Sequence, residues 1–333
     1  MMFARALAFV AFVTTYSVQP VFGQDPHLLV ITGLGGDPEY SGRFQEMGSS
    51  FVATALEKLS LPPDNIIYLG EDATADPHIR DRSTRENVDL AFTNLASNTR
   101  SGDHVFVVLI GHGSFNAGES RFNLPGPDLT AEDFGLHLDQ LSDRQVTFVN
   151  LSSASGEFIK ALSGSGRTIV TATRTGREGN DTVFGGYFIN AFIGDAADLD
   201  KDGRVSVWEA FEFARVEVTR EYETSNRIAT EHAALDDNGD GEGSTDLADA
   251  MDGALARERY LAGDPTLAAA RATDDPELRA LLEQKADLER RIDELRSVRD
   301  QLAQDRYESD LEELLIELAL ANRAIRARET GGN

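Results

Sequence analysis

His104-Val-Phe-Val-Val-Leu-Ile110, running into Gly111-His112-Gly113-Ser114, is the stretch on which the fold reading turns. From Val105 to Ile110 every side chain is apolar, with no polar alternation. A strand buried on both faces reads this way, and such strands belong to parallel sheets covered by helices. Four more runs of the same kind lie at His27–Thr32, Asn65–Leu69, Gln145–Asn150 and Arg167–Ala172. Helical spacing separates them. Ser49–Leu59 puts Phe51, Val52, Ala55, Leu56 and Leu59 on one face, and Ser83–Ala96 does so with Val88, Ala91, Phe92 and Leu95. Thr130-Ala-Glu-Asp133 reads as a capping box that starts another helix. This alternation predicts an α/β fold, a mostly parallel sheet flanked by helices. Gly33-Leu-Gly35-Gly36 follows the first strand but lacks the spacing of a dinucleotide fingerprint, and no strong helix start follows it directly.

The chain has 333 residues, 41% of them hydrophobic, which suits one large domain plus an appendage or two small domains. Its net charge of -26 excludes nucleic acid as a partner, because so acidic a surface repels phosphates, while divalent cations suit it. There is no cysteine, hence no disulfide, thiolate zinc site or thiol nucleophile. Residues 1–23 read as a secretory signal peptide. Arg5 precedes the apolar run Ala6–Val13, and Val21-Phe-Gly23 offers a cleavage site, an uncleaved N-terminal anchor being the alternative. No later segment is long and apolar enough to span a membrane. The expected location is periplasmic or extracellular.

Two organised regions follow the sheet. Residues 24–265 are expected to form the α/β domain, and 275–328 a helical hairpin or coiled coil that folds on itself or joins two copies of the chain. In that second region Leu278, Leu281, Leu288, Ile292, Leu295 and Leu302 follow a 3-4 spacing, with Lys285 and Arg299 at expected core positions. A polar break at Gln304–Asp310 precedes the second apolar run, Leu311, Leu314, Leu315, Leu318, Ala321 and Ile325.

Asp198-Leu-Asp200-Lys-Asp202-Gly203-Arg-Val205-Ser206-Val-Trp-Glu209 fits the twelve-residue EF-hand loop at each diagnostic position. Asp198, Asp200 and Asp202 would supply oxygens, Gly203 the sharp turn, Arg204 its carbonyl, Ser206 a direct or water-mediated ligand, and Glu209 two oxygens. Val205 would pair with a second loop. The flanks, Thr182–Ile193 and Val207–Tyr222, read as helices. The expected cofactor is Ca2+. A second acidic stretch, Asp236-Asp-Asn238-Gly-Asp240-Gly241-Glu242-Gly-Ser244, repeats the first half of the pattern. Its closing position falls on Leu247, so Asp236, Asn238, Asp240 and Glu242 form either a divergent cation site or a Gly/Asp turn.

The strand-end motifs resemble those of caspase/legumain-type peptidases. Val105–Ile110-Gly-His112-Gly113 is similar to the His-Gly element after an apolar strand. Val146-Thr-Phe-Val-Asn150-Leu-Ser-Ser153-Ala154-Ser155-Gly156 is similar to the Cys-x-Ser-Gly element that opens a helix, with Ser153 where the cysteine stands. Thr168–Thr173 and the following Glu178 resemble a third segment, so that the resemblance spans roughly residues 27–225. It implies His112 as general base, Ser153 as nucleophile, backbone N–H groups of Gly113 and Ser153 as an oxyanion hole, and Glu178 as part of a specificity pocket. A serine hydroxyl needs a base held by a third group, and no orienting carboxylate for His112 is evident. The resemblance therefore carries two expectations: a pseudo-peptidase that binds a peptide or protein, or a hydrolase using Ser153 and His112. For Ser153 and Ser155 alone, helix N-capping is the plain alternative. His137 reads as a surface helix residue, and His232 as either near the site or simply packed.

Overall fold

The computed structural model describes residues 26–248, 250–261, 265–297, 299 and 302–331. The expected signal peptide lies outside them. The β-branched and aromatic runs form strands where the spacing predicts them. In chain order these are β1 (His27–Thr32), α1 (Pro38–Glu57), β2 (Ile66–Gly70), β3 (Asp81–Arg82), α2 (Arg85–Asn98) and β4 (His104–Ile110). Then come β5 (Gly113–Asn116), β6 (Glu119–Phe122), β7 (Leu129–Thr130), α3 (Ala131–Asp139), β8 (Gln145–Asn150), α4 (Glu157–Leu162) and β9 (Arg167–Thr171). The unit closes with α5 (Phe184–Ile193), α6 (Val207–Thr224), β10 (Ala234–Asp236) and α7 (Pro265–Ala272).

Seven strands form one sheet in the order β10-β9-β8-β4-β1-β2-β3. All neighbours are parallel except β10, which runs antiparallel to β9. The α/β class is therefore as the sequence predicts. β4 shows why its run lacks alternation. Phe106, Val108 and Ile110 pack on the face shared with α1, α5 and α6, while Val105, Val107 and Leu109 pack on the face shared with α2, α3 and α4. Both faces are thus dry, and each fully buried large apolar side chain contributes about 1.5–3 kcal/mol. A three-stranded antiparallel sheet, β5-β6-β7, leaves the end of β4.

The helix expected from Ser49 begins at Pro38 instead. Asp37 caps it, accepting from the N–H groups of Glu39 and Tyr40 at 2.9 and 3.0 Å, and Pro38 takes the first helical position. A helix start therefore does follow Gly33–Gly36. The capping box at α3 forms as expected, with Thr130 and Asp133 satisfying each other's backbone N–H. His137 is not a surface residue. Its ring stacks on Phe92 at 4.5 Å and pairs with Asp89, because it follows Phe134 by one turn-spacing on the packed face.

The chain divides at Thr273/Asp274 into two compact units. The second contains α8 (Pro276–Ser297) and α9 (Gln304–Gly331). They run antiparallel: Asp275, just before α8, pairs with Arg328 near the end of α9, and Arg291 lies 3.8 Å from Glu317. Leu288, Ile292, Leu314 and Ala321 form the seam. Leu282 and Ala286 are buried while Lys285 turns outward to Glu289. The polar segment Gln304–Asp310 is not a break, since it forms the first turns of α9, where its charges face solvent. Among the described residues no helix is long and apolar enough to cross a membrane.

Candidate functional site

The sheet reverses its winding between β1 and β4: the chain leaves β1 toward β2, and β4 adds on the other side. Open α/β sheets bind ligands outside the strand carboxyl ends at such a point. Here that crevice is made by Gly33–Gly36 after β1 and Gly111–Gly113 after β4. The two turns touch. The Gly33 N–H donates to the Ile110 carbonyl at 2.9 Å, and a Cβ on Gly111 would lie 3.3 Å from the Gly33 Cα.

His112 sits in this crevice, half-buried. Its ring is held edge-on by Tyr40 at 4.5 Å and Phe44 at 4.9 Å, both from α1. Among the described residues neither ring nitrogen has a hydrogen-bond partner. Burial lowers its pKa below the ordinary histidine value, opposed by Asp181 and Asp37 and assisted by Arg43. The imidazole is therefore neutral near pH 7, the form a base requires. Arg43 lies over the Tyr40 and Phe44 rings, at 4.7 and 5.4 Å, and its guanidinium is bound bidentately by Asp181 at 2.6 and 2.9 Å. Tyr40, Arg43, Phe44 and Asp181 are site residues that the sequence reading misses. The overlooked signal is Asp37-Pro38, which starts α1 early enough to put 40, 43 and 44 on one face.

Ser153 lies at the end of β8, the strand next to β4, and is 4% exposed. Its hydroxyl does not bond to His112. The Oγ donates to the Gly113 carbonyl at 3.2 Å and accepts from the Gly113 N–H at 3.3 Å. The expected oxyanion donor at Gly113 is thus taken up by the expected nucleophile, whereas the Ser153 N–H has no acceptor among the described residues. Gly113 is obligatory there, since a Cβ would stand 2.1 Å from the Ser153 carbonyl oxygen. Ser153 does not open a helix either. Ala154 follows at φ +53, and α4 begins only at Glu157, capped by Gly156 without a side-chain bond. Ala154 is fixed in this left-handed conformation by its N–H on the Glu178 carbonyl (2.8 Å) and its carbonyl on Ser120 (2.6 Å). Ser155 caps nothing and bonds with Thr173. Beneath, the Asn150 carboxamide oxygen accepts twice from Ser152, while its buried Nδ2 has no partner among the described residues.

Glu178 is a loop clamp rather than a pocket wall. Its carboxylate accepts from the Arg174 N–H at 3.0 Å and the His232 N–H at 3.1 Å, and meets His232 Nδ1 at 2.9 Å. His232 is therefore tied to the strand-end loops, with its ring half exposed.

In the loop Asp198–Glu209, one oxygen from each of Asp198, Asp200 and Asp202 comes within 4.8 Å of the others. Gly203 adopts φ +87 and its N–H donates to Asp198 Oδ2 at 3.1 Å. Asp198 Oδ1 is buried and has no hydrogen-bond partner among the described residues. A convergent carboxylate trio with an unspent inner oxygen fits a hard divalent cation. Glu209 is engaged differently. Oε1 accepts from the N–H of Leu199 and Oε2 from Ser206 N and Oγ, each within 2.9 Å, forming the capping box that starts α6. Val205 is not the pairing residue. Ser206 bridges Tyr260, and the Val207 N–H donates to the Arg259 carbonyl at 2.8 Å, because 259–260, not the second acidic loop, runs alongside. The Arg204 side chain lies on Asp202 and over the Tyr260 ring, leaving its carbonyl as the only group it could offer an ion.

The second acidic stretch is a hairpin turn closed by the Leu235–Ser244 bridge. Its acidic side chains do not converge. Asn238 and Asp240 bond to each other, Asp240 takes the Glu242 N–H, and Asp236 takes the Gly239 N–H, its other oxygen being buried and unpaired among the described residues. The buried partners of this turn are Asp237 and Asp252, which accept backbone N–H groups of Gly253 and Ala256, and of Asp237, respectively.

Neither a protein-family model nor a curated protein sequence matches this chain. Among solved structures it is similar to the crystal structure of a protein from Geobacter sulfurreducens, at 13% identity over 72% of this chain and 98% of that one, with a TM-score of 0.43.

Proposed function

We propose that this protein is a peptide- or protein-binding module on a caspase/legumain-like scaffold, a pseudo-peptidase whose α/β unit is organised by calcium at Asp198–Glu209. The observation that carries the reading is the hydroxyl of Ser153, bonded in both directions to the Gly113 backbone and not to His112. A serine becomes a nucleophile only when a base takes its proton. Among the described residues no carboxylate is bonded to His112 to orient it, and the nearby Asp181 is committed to Arg43. The crevice keeps two groups that binding can use, an aromatic-flanked imidazole and a Ser153 N–H without an acceptor among the described residues. Calcium, held by Asp198, Asp200, Asp202 and the Arg204 carbonyl, would neutralise a cluster of like charges at the start of α6. Secretion of the mature chain, and self-association through α8 and α9, belong to the same reading.

The test is a fluorophosphonate serine probe and a diverse peptide library, applied to mature protein with calcium beside Ser153→Ala. Peptide binding without cleavage, equal in both proteins, is the expected result. Cleavage lost in Ser153→Ala would instead establish a serine hydrolase that uses Ser153 and His112.

A further inference from the structure

α9 carries two apolar stripes. The first, Leu311, Leu314, Leu318 and Ala321, follows the 3-4 spacing and packs in the seam with α8. The second, Leu315, Ile316, Ala319 and Leu320, lies round the helix from it, and all four side chains are exposed. Among the described residues no other helix exposes more than one large apolar side chain. A shallow groove of about 360 Å³ runs along the stripe, lined by Leu311, Leu315, Ile316 and Ala319 together with Glu308 and Glu312. Single exposed apolar residues are ordinary on a protein surface, whereas a contiguous row of them marks a contact face.

The charges of α9 are divided along its length. Asp305, Glu308, Asp310, Glu312, Glu313 and Glu317 fill the first half against Arg306 alone, while Arg323, Arg326 and Arg328 fill the second against Glu329 alone. Several are spent within the hairpin: Asp310 on Arg306, Glu317 near Arg291, and Arg328 on Asp275 and Glu277. Glu312 and Arg323 are exposed, and neither has an ion-pair partner among the described residues. Both sit on the second stripe, close to three helical turns apart, or about 16 Å along the axis. The stripe is thus apolar in its middle, negative at one end and positive at the other.

We propose that this stripe is the face through which two copies of the chain associate, α9 against α9 and antiparallel, centred between Glu317 and Leu318. The proposal rests on the self-association reading and gives it a surface and a direction. A two-fold interface presents the same patch from both copies, so the patch must complement itself when reversed. This one does. Glu312 of one copy meets Arg323 of the second copy, twice by symmetry, while Ile316, Ala319 and Leu320 close over one another. A parallel pair would instead set Glu312 on Glu312 and Arg323 on Arg323, and like charges in contact oppose association.

Sedimentation equilibrium of the mature protein over a concentration series tests this, with a dimer as the expected species. Glu312→Arg and Arg323→Glu each turn two attractive pairs into repulsive ones, and each is expected to weaken the dimer about tenfold. The double variant Glu312→Arg, Arg323→Glu restores both pairs and is expected to associate as the parent does. Single variants that dimerise as tightly as the parent would overturn the antiparallel register. Ile316→Gln with Leu320→Gln, both exposed in the single copy and replaced by a good helix former, is expected to weaken association about a hundredfold at unchanged far-UV circular dichroism. Dimers that survive it would overturn the surface and leave self-association standing. A parent that stays monomeric throughout would overturn both and leave peptide binding at the His112 crevice untouched. Co-flotation of that monomer with phosphatidylcholine vesicles would then give the stripe to a lipid surface.

Discussion

Ala154 offers a direct measure of the backbone behind Ser153. It is 2% exposed and sits at φ +53. For an L-residue that conformation costs about 1–2 kcal/mol, which glycine does not incur. Ala154→Gly also loses a buried methyl, about 0.8 kcal/mol, and adds chain entropy to the unfolded state, about 0.5–1 kcal/mol. Gain and loss nearly cancel, so the variant is expected to lie within about 1 kcal/mol of the parent. Ala210, fully buried within α6, provides the control. There glycine relieves nothing, and the same losses should sum to about 1.3–1.8 kcal/mol. Urea unfolding of both variants, compared by midpoint at unchanged slope, reads the difference, which is the strain itself. If Ala154→Gly loses as much as Ala210→Gly, the left-handed turn after Ser153 does not exist, and the geometry drawn for Ser153 and Gly113 falls with it.

Calcium at a hundredfold excess over its Kd should stabilise the protein by about 2.7 kcal/mol. The midpoint shift should vanish in Asp200→Asn, a better probe than Glu209→Gln, because Glu209 also caps α6 and its loss destabilises the ion-free protein. Glu231 is buried where it accepts from the Val183 and Phe184 N–H groups and the Tyr222 hydroxyl, and burial raises its pKa above the ordinary glutamate value of 4.5. A raised pKa means that its contribution is present below the unfolded value and lost as pH rises through the folded value. Urea midpoints measured from pH 4 to 7 should therefore fall less steeply with rising pH in Glu231→Gln than in the parent; parallel curves would refute the assignment. By NMR, His112 should titrate below 6.5, and further below in Asp181→Asn, since Asp181 opposes the burial effect; an upward move would contradict the geometry.

The strands were legible because β1, β4, β8 and β9 are dry on both faces, which calls for near-continuous apolar runs, with Thr147, Asn150, Thr168 and Thr171 as the buried polar exceptions in β8 and β9. β3, with two exposed polar residues, and the β5–β7 meander carry no such pattern. The position of Ser153 beside Gly113 was legible too, since both lie where adjacent strands end. Its hydroxyl's partner was not, because a 2.1 Å constraint on the Gly113 Cβ position arises between turns distant in sequence. Arg43 and Asp181 are separated by 138 residues and meet only after β9 is in register. The trio Asp198, Asp200 and Asp202 is local, so spacing alone suffices for it. The fate of Glu209 depends on a capping box that an EF-hand pattern hides, the same residue serving both at the third helical position.

The Arg43–Asp181 pair joins the first turns of α1 to the loop before α5, and both side chains are more than a third exposed or close to it. An ion pair so wet is worth about 1 kcal/mol or less. Thermal motion alone would then part it in a fraction on the order of 10% of molecules. Parting it leaves the cradle of His112 in place, because Tyr40 and Phe44 ride on the same helix as Arg43 and Phe44 is anchored in the core, so the imidazole's seat outlasts the ion pair beside it.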